Sequence, residues 1–195
     1  MITPVQLQLK RLFDVLLALV LLPFLMVPLI VLLLGAAVDV GHFGWFQQVR
    51  VGQDGRGFQM FKLRTLRAGS HQLGLLDGHA SAYGRFLRRT KLDELPQLFN
   101  VLLGDMSFVG PRPDVPGFAD ALLGADRIIL KVKPGVTGPA TIKYKNEEIL
   151  LAMQSDPESY NRTIIWPDKV EINKKYVQNW SFYLDLNYIL QSLIS

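Results

Sequence analysis

No charged residue occurs in the 24 positions from Val15 to Val38. As a helix that run would reach about 36 Å, enough to cross a hydrocarbon core of about 30 Å. Pro23 and Pro28 interrupt it. Each lacks an N–H and frees a carbonyl that lipid cannot satisfy. Lys10 and Arg11 precede the run, and Arg50, Arg56 and Lys62 follow it. Basic flanks favour the cytoplasmic side, so a simple span would break that rule at one end. A helix that enters, bends at Pro28 and returns satisfies both ends. The pattern predicts a re-entrant helix-break-helix over residues 1–40, with Pro23 and Pro28 as the membrane break. A secretory leader fits poorly, because the run is too long and no small-residue cleavage site follows it.

Beyond the run the periodicity changes. Residues 46–66 read as a hairpin around the turn signal Asp54-Gly55-Arg56-Gly57, with Lys62 and Arg64 on one face by period 2. Ala68–Ala82 reads as a loop and Tyr83–Arg89 as a short basic helix. Leu92, Leu95, Leu98, Phe99, Leu102 and Leu103 have helical spacing over Thr90–Leu103, and Gly104 is placed to stop that helix. Gly110-Pro111-Arg112-Pro113 is extended, since a residue before proline is driven out of the helical region. Helices are further predicted over 115–131, 147–154 and about 168–176. The aromatic, apolar tail Trp180–Ile194 holds one acid, Asp185, and is divided between core and the membrane head-group level. The fold class is α/β, mostly helical with few short strands: a membrane hairpin over 1–40 and a compact cytosolic catalytic domain over 41–195.

Composition sharpens this. A chain of 195 residues supports one sizeable core, and its 49% hydrophobic content is concentrated in the N-terminal block. The net charge of +4 is uneven: Arg50–Lys91 holds nine basic residues against two acids. That suits a phosphate-rich ligand or an anionic membrane surface. Nucleic acid would also suit the charge, but the apolar run argues against it and no binding motif is present. With no cysteine, disulfides and thiolate metal sites are excluded. His42, His71 and His79 have no metal-binding spacing and read as surface or loop residues.

Asp93-Glu94 is the most informative pair. Beside phosphate, one carboxylate can attack while the other holds a divalent cation. Against this stands a capping reading, since Thr90-Lys91-Leu92-Asp93 resembles a capping box. Arg112, fixed between two prolines, matches phosphate oxygens, or forms a salt bridge with Asp105 or Asp114. Lys133, before Pro134-Gly135, is a phosphate ligand or a surface charge.

Leu92-Asp93-Glu94-Leu95-Pro96-Gln97-Leu98-Phe99-Asn100-Val101-Leu102, followed by Gly104-Asp105-Met106-Ser107-Phe108-Val109-Gly110-Pro111-Arg112-Pro113, resembles the signature of bacterial sugar transferases, the monotopic polyprenyl-phosphate phosphoglycosyl transferases. Lys10-Arg11-Leu12-Phe13-Asp14, Phe61–Thr65, Lys133–Gly138 and Ser181–Leu186 extend the resemblance over nearly the whole chain. It implies transfer of a sugar-1-phosphate from a UDP-sugar to undecaprenyl phosphate, with release of UMP, through a phosphosugar on Asp93. Glu94 would assist, with Mg²⁺ held by Glu94 and Asp93. Arg112, Lys62, Arg64, Arg88 and Lys133 are the candidate phosphate ligands. The resemblance also implies a monotopic protein on the cytoplasmic face of the bacterial inner membrane, among phospholipids, acting before downstream glycosyltransferases in exopolysaccharide or glycoconjugate assembly. Two departures stand out. Val27-Pro28 replaces the Ser-Pro break of small members, and Pro139–Asn146 replaces a stretch with Trp and Asn-Gly-Arg. The second departure leaves the sugar open. A non-catalytic, membrane-anchored binder of polyprenyl or anionic lipid phosphates is the rival reading, and it leaves the carboxylates of Asp93-Glu94 unexplained.

Overall fold

The computed structural model describes residues 2–67 and 80–194. Most of the loop expected over Ala68–Ala82 lies outside them, as do His71 and His79. The described chain is mostly helical with few short strands.

Helix α1 (Pro4–Val40) starts at a capping box. Thr3 Oγ1 accepts from the Gln6 backbone N–H, and Gln6 Oε1 accepts from that of Thr3 at 2.8 Å. It ends at Gly41, whose φ of 71° is the left-handed C-cap. At 37 residues it would be about 55 Å long. The predicted break is absent, because the helix runs through Pro23 and Pro28 without interruption.

The two faces of α1 explain this. Lys10, Asp14, Ala18, Leu29, Ala36 and Val40 form a buried stripe. Leu9, Leu12, Leu16, Val20, Phe24, Val27, Val31 and Leu34 are exposed on the other side, and so are both prolines. A proline ring crowds the preceding turn on its own side. Rings on the outer face therefore favour curvature toward the domain, the direction in which long helices wrap a core. The inner face packs in two stretches. Ala18, Leu21, Leu22 and Leu25 meet Met60, Leu98, Val101 and Met106. Leu29, Leu32, Leu33 and Ala36 meet Leu63, Leu87 and Phe99.

Strands β1 (Trp45–Val51) and β2 (Gly57–Leu63) form the expected antiparallel hairpin, in register Trp45↔Leu63 to Val51↔Gly57. Helix α2 (Ala82–Arg89) is capped by Ser81 Oγ, which accepts from the Gly84 backbone N–H. A 3₁₀ turn (Leu92–Glu94) leads into α3 (Gln97–Leu103), which stops at Gly104 with φ 94°. Strands β3 (Ser107–Val109) and β4 (Gly135–Thr137) pair in parallel. The connection between them holds 3₁₀ turns at Ala119–Ala121 and Gly124–Lys131, where an α-helix was expected. Short helices α4 (Pro139–Lys143), α5 (Glu147–Ala152) and α6 (Pro157–Tyr160) follow. A π-turn (Asn161–Ile165) leads into α7 (Trp166–Gln178), and α8 (Phe182–Ile194) closes the chain.

The two ends of the chain are clasped by a buried polar knot. Lys10 Nζ donates to Asp185 Oδ2 at 2.5 Å. Tyr176 Oη and Trp180 Nε1 donate to the same carboxylate at 2.7 and 3.0 Å. One turn on, Asp14 Oδ1 accepts from the Phe108 backbone N–H at 3.1 Å. Lys10 and Asp185 are ion-paired and Asp14 is hydrogen-bonded, so the buried charged groups are not left without partners.

Candidate active site

The site begins with a backbone reversal. Lys91 takes φ 58°, a left-handed conformation rare outside glycine, and sends Leu92–Glu94 into a tight turn. The capping-box reading does not hold. Thr90 Oγ1 donates back to the Phe86 and Leu87 carbonyls, and the turn has no side-chain cap. Asp93 and Glu94 are 6% and 8% exposed, so solvation does not explain their charge.

Asn100 fixes the turn against the hairpin. Its Oδ1 accepts from the Phe61 backbone N–H at 2.9 Å, and its Nδ2 donates to the Gln59 carbonyl at 2.7 Å. Phe61 immediately precedes Lys62 in β2, so this bolt brings Lys62 to Glu94. Lys62 Nζ donates to Glu94 Oε1 at 3.0 Å. Arg112 arrives from the other side on the β3–β4 unit. Gly110 N–H donates to the Thr137 carbonyl at 2.9 Å and Gly135 N–H to that of Pro111 at 2.8 Å. A Cβ at Gly135 would lie 2.1 Å from the Gly110 nitrogen, so this crossing needs glycine. Arg112 then donates to both Glu94 oxygens, at 2.5 Å to Oε1 and 3.3 Å to Oε2.

The two carboxylates differ in kind. Burial alone would raise the Glu94 carboxyl, but Arg112 and Lys62 together hold it well below the usual carboxylate range. Asp93 is pushed up by burial, against the pull of Lys62, and the neighbouring Glu94 adds to the rise. Its Oδ1 is enclosed and has no hydrogen-bond partner. Glu94 is thus spent on fixing cations, and Asp93 is a poorly solvated, uncommitted carboxylate. Burial lowers the Lys62 ammonium, with Glu94 opposing.

The other candidates separate. Arg88, on α2, acts electrostatically on Asp93 and is ion-paired with Glu148 of α5. Arg64 lies past the end of β2, where its Nε donates to the Phe43 carbonyl at 3.2 Å and its guanidinium sits 5.3 Å from the Phe46 ring centroid. Lys133 donates to the Gly104 carbonyl at 2.5 Å, at the far end of α3, where Arg11 donates to Val101 and Leu102. Neither Arg64 nor Lys133 is brought to Asp93 or Glu94. Arg112, read as a phosphate ligand or as a salt bridge to Asp105 or Asp114, forms its ion pair with Glu94.

Three further residues lie near the site: Arg50, read in the sequence only as a basic flank, Asp114, read only as a possible partner of Arg112, and Gln97, given no role. Arg50 donates to Gln48 Oε1 at 2.7 Å, and burial and the nearby Arg112 lower its guanidinium to about 10. Asp114 faces Arg50, Lys169 and Arg112 and is raised by burial to about 6. Gln97 is 1% exposed with its Nε2 unpartnered. Arg50 stood within the basic window and Asp114 beside Pro113, but only the fold shows what they face.

A divalent cation would find an uncommitted carboxylate in Asp93 and one remaining lone pair on Glu94 Oε2. Among the described residues no group of three His, Asp or Glu side chains could hold a metal. Magnesium usually takes one or two carboxylates together with substrate phosphate oxygens. The pair fits an ion that binds jointly with a diphosphate.

A long apolar helix beside a buried carboxylate dyad, with Lys62 and Arg112 on Glu94, suits a membrane-associated protein. The chain matches the family model described as bacterial sugar transferase over residues 5–195, and it belongs to that family. It is 36% identical over 181 residues to a protein named uncharacterized sugar transferase EpsL from Bacillus subtilis, covering 91% of this chain and 82% of that relative. It is 33% identical to the UDP-glucose:undecaprenyl-phosphate glucose-1-phosphate transferase of Klebsiella pneumoniae, covering 92% of this chain. It is 32% identical to the protein of the same name from Escherichia coli, covering 93% of this chain. The chain spans 38% of the length of each of these two.

Proposed function

We propose that the protein transfers a sugar-1-phosphate from a UDP-sugar to undecaprenyl phosphate. The observation that carries this is the contrast within the dyad: Glu94 holds two cations, while Asp93, which feels Lys62 and Arg88 electrostatically, keeps an enclosed oxygen without a hydrogen-bond partner. A buried charge without a partner is costly, and a nucleophile needs that freedom.

In this reading an Asp93 oxygen attacks the β-phosphorus of the UDP-sugar. A carboxylate–phosphorus bond forms, the β-phosphorus–oxygen bond to the α-phosphate breaks, and UMP leaves with the electron pair. An oxygen of undecaprenyl phosphate then attacks the same phosphorus. The bond from the Asp93 oxygen to phosphorus breaks, the carboxylate leaves with the electron pair and the sugar stays on the lipid diphosphate. Lys62 and Arg112, fixed by Glu94, face the charge that develops on the phosphoryl oxygens, where preorganised donors act most strongly. Magnesium, held by Asp93 and Glu94 with the diphosphate, would neutralise that charge further.

The outer face of α1 would lie in the membrane. Support comes from its apolar surface, larger than water-exposed surfaces usually carry. Both halves of α1 pack on the same domain, which favours a helix whose two ends stay on one side of the bilayer. The basic flanks make that the cytoplasmic side. Phospholipids and undecaprenyl phosphate are then partners in the plane, and downstream glycosyltransferases would receive the product.

The test is UMP release by the full chain in detergent or nanodiscs, from a panel of UDP-sugars with magnesium and undecaprenyl phosphate. Release by wild type, lost on Asp93→Asn, is expected. Undecaprenyl phosphate binding without UMP release from any sugar would instead support the lipid-binding reading.

A further inference from the structure

The buried side of the helical run from Leu92 to Leu103 carries Asp93, Gln97 and Asn100, at 6%, 1% and 0% exposure. Asn100 is accounted for by its bolt to β2. Gln97 is not. Its Nε2 is enclosed and has no partner, and leaving a buried amide unpaired is costly. A methionine of similar length would fill the space without that cost, so packing gives no reason for an amide.

Position gives one. Leu95 and Pro96 both have helical backbone angles, φ −51°, ψ −37° and φ −60°, ψ −18°. The 3₁₀ turn therefore runs on into α3 as one continuous helical path, and Gln97, the first residue of α3, lies four residues, about one turn, beyond Asp93. The turn thus presents two enclosed, unsatisfied atoms: an oxygen of Asp93 that only accepts, and a nitrogen of Gln97 that only donates.

We infer that Gln97 contacts the substrate, its carboxamide donating to a non-bridging phosphoryl oxygen as the sugar-phosphate joins Asp93. The inference rests on the phosphoryl transfer proposed above. As the bond from Asp93 to phosphorus forms and the bond to UMP breaks, charge spreads over the phosphoryl oxygens. Lys62 and Arg112 meet that charge as cations anchored on Glu94. Gln97 adds a neutral donor on the Asp93 side. An enclosed donor does not have to be stripped of water when the charge arrives, which is the condition under which such groups contribute most to rate.

The experiment compares Gln97→Met and Gln97→Glu with wild type, as full chains in detergent. It uses whichever UDP-sugar supports wild-type turnover and undecaprenyl phosphate as acceptor, and reads kcat, KM, the rate of phosphosugar adduct formation by intact mass, and Tm. Gln97→Met should have an equal or higher Tm, a kcat lower by ~10–100-fold and a similarly slowed adduct, with KM little changed. Gln97→Glu, which puts an acceptor where a donor is needed, should be slower still. A Gln97→Met rate per folded molecule within ~3-fold of wild type overturns the inference, whether or not Tm falls. A wild type that forms neither UMP nor adduct overturns the functional reading itself, and this inference with it.

Discussion

Arg112 and Glu94 meet through both ends of their forks, Nη2 to Oε1 and Nη1 to Oε2, while Lys62 shares Oε1. Planar pairing of this kind fixes a guanidinium in direction as well as position. Glu94→Gln should therefore lower both activity and stability. The loss of stability should be about 2–4 kcal/mol, below the full cost of breaking a buried pair because Arg112 keeps a third of its side chain in water. Thermal unfolding beside a UMP assay checks this.

Asp93→Asn should separate the two properties. The unpaired carboxylate contributes no ion pair, so the variant should keep or raise the wild-type Tm while UMP release falls by ~10³-fold or more. A large drop in Tm would mean that Asp93 is structural.

The displaced lysine gives a contrast. Lys133 serves the C-terminal carbonyl of Gly104, away from the dyad. Lys133→Ala should leave kcat within ~3-fold of wild type and cost about 1 kcal/mol of stability. Arg88→Ala, beside Asp93, should slow UMP release by ~10-fold or more.

Asp114 provides a pH signature. Its ordinary carboxyl value of 3.8 is raised to about 6 by burial, against the pull of Lys169 and Arg50. Below pH 3.8 both folded and unfolded states hold the proton. Between about 4 and 6 the unfolded state releases it first, so stability falls as pH rises through that window. Asp114→Asn removes this slope. The Tm of wild type minus that of the variant should become more negative from pH 4 to pH 6.5 and then level off.

The clasp between chain ends should be as sensitive as any core position. Lys10→Met leaves Asp185 buried with only its Tyr176 and Trp180 donors, at a cost of about 3 kcal/mol. Adding Asp185→Asn should recover part of that loss, because the uncompensated charge goes with it. Thermal unfolding of both variants measures the coupling.

Local signals carried much of this fold into the sequence. The Asp54-Gly55 turn, the stop at Gly104 and the basic helix ending at Arg89 depend on backbone preferences within a few residues, and all are present. The prolines of α1 do not interrupt the helix, because their effect depends on which face they occupy, and that face is set by packing partners far along the chain. The same holds for cations. Lys62 and Arg64 share a strand face by period, but only Lys62 has Asn100 to carry it to Glu94. Lys133 and Arg112 both adjoin prolines, and the parallel β3–β4 crossing sends them to different ends of α3. Asp93-Glu94 was legible as a pair. The division of labour inside it was not, since it comes from Arg112 and Lys62 arriving from opposite sides. Gln97 read as one more helical residue until its surroundings left its amide alone.

The most direct test of the central claim mixes the protein with its UDP-sugar and magnesium, without undecaprenyl phosphate, and follows UMP and intact mass together. The account predicts a burst of about one UMP per active site. It also predicts a mass increase equal to one sugar-phosphate, mapped to the peptide containing Asp93 and chased off by undecaprenyl phosphate. UMP that forms only when the lipid is present, with no adduct at any time, would contradict it and point to direct transfer between the two substrates.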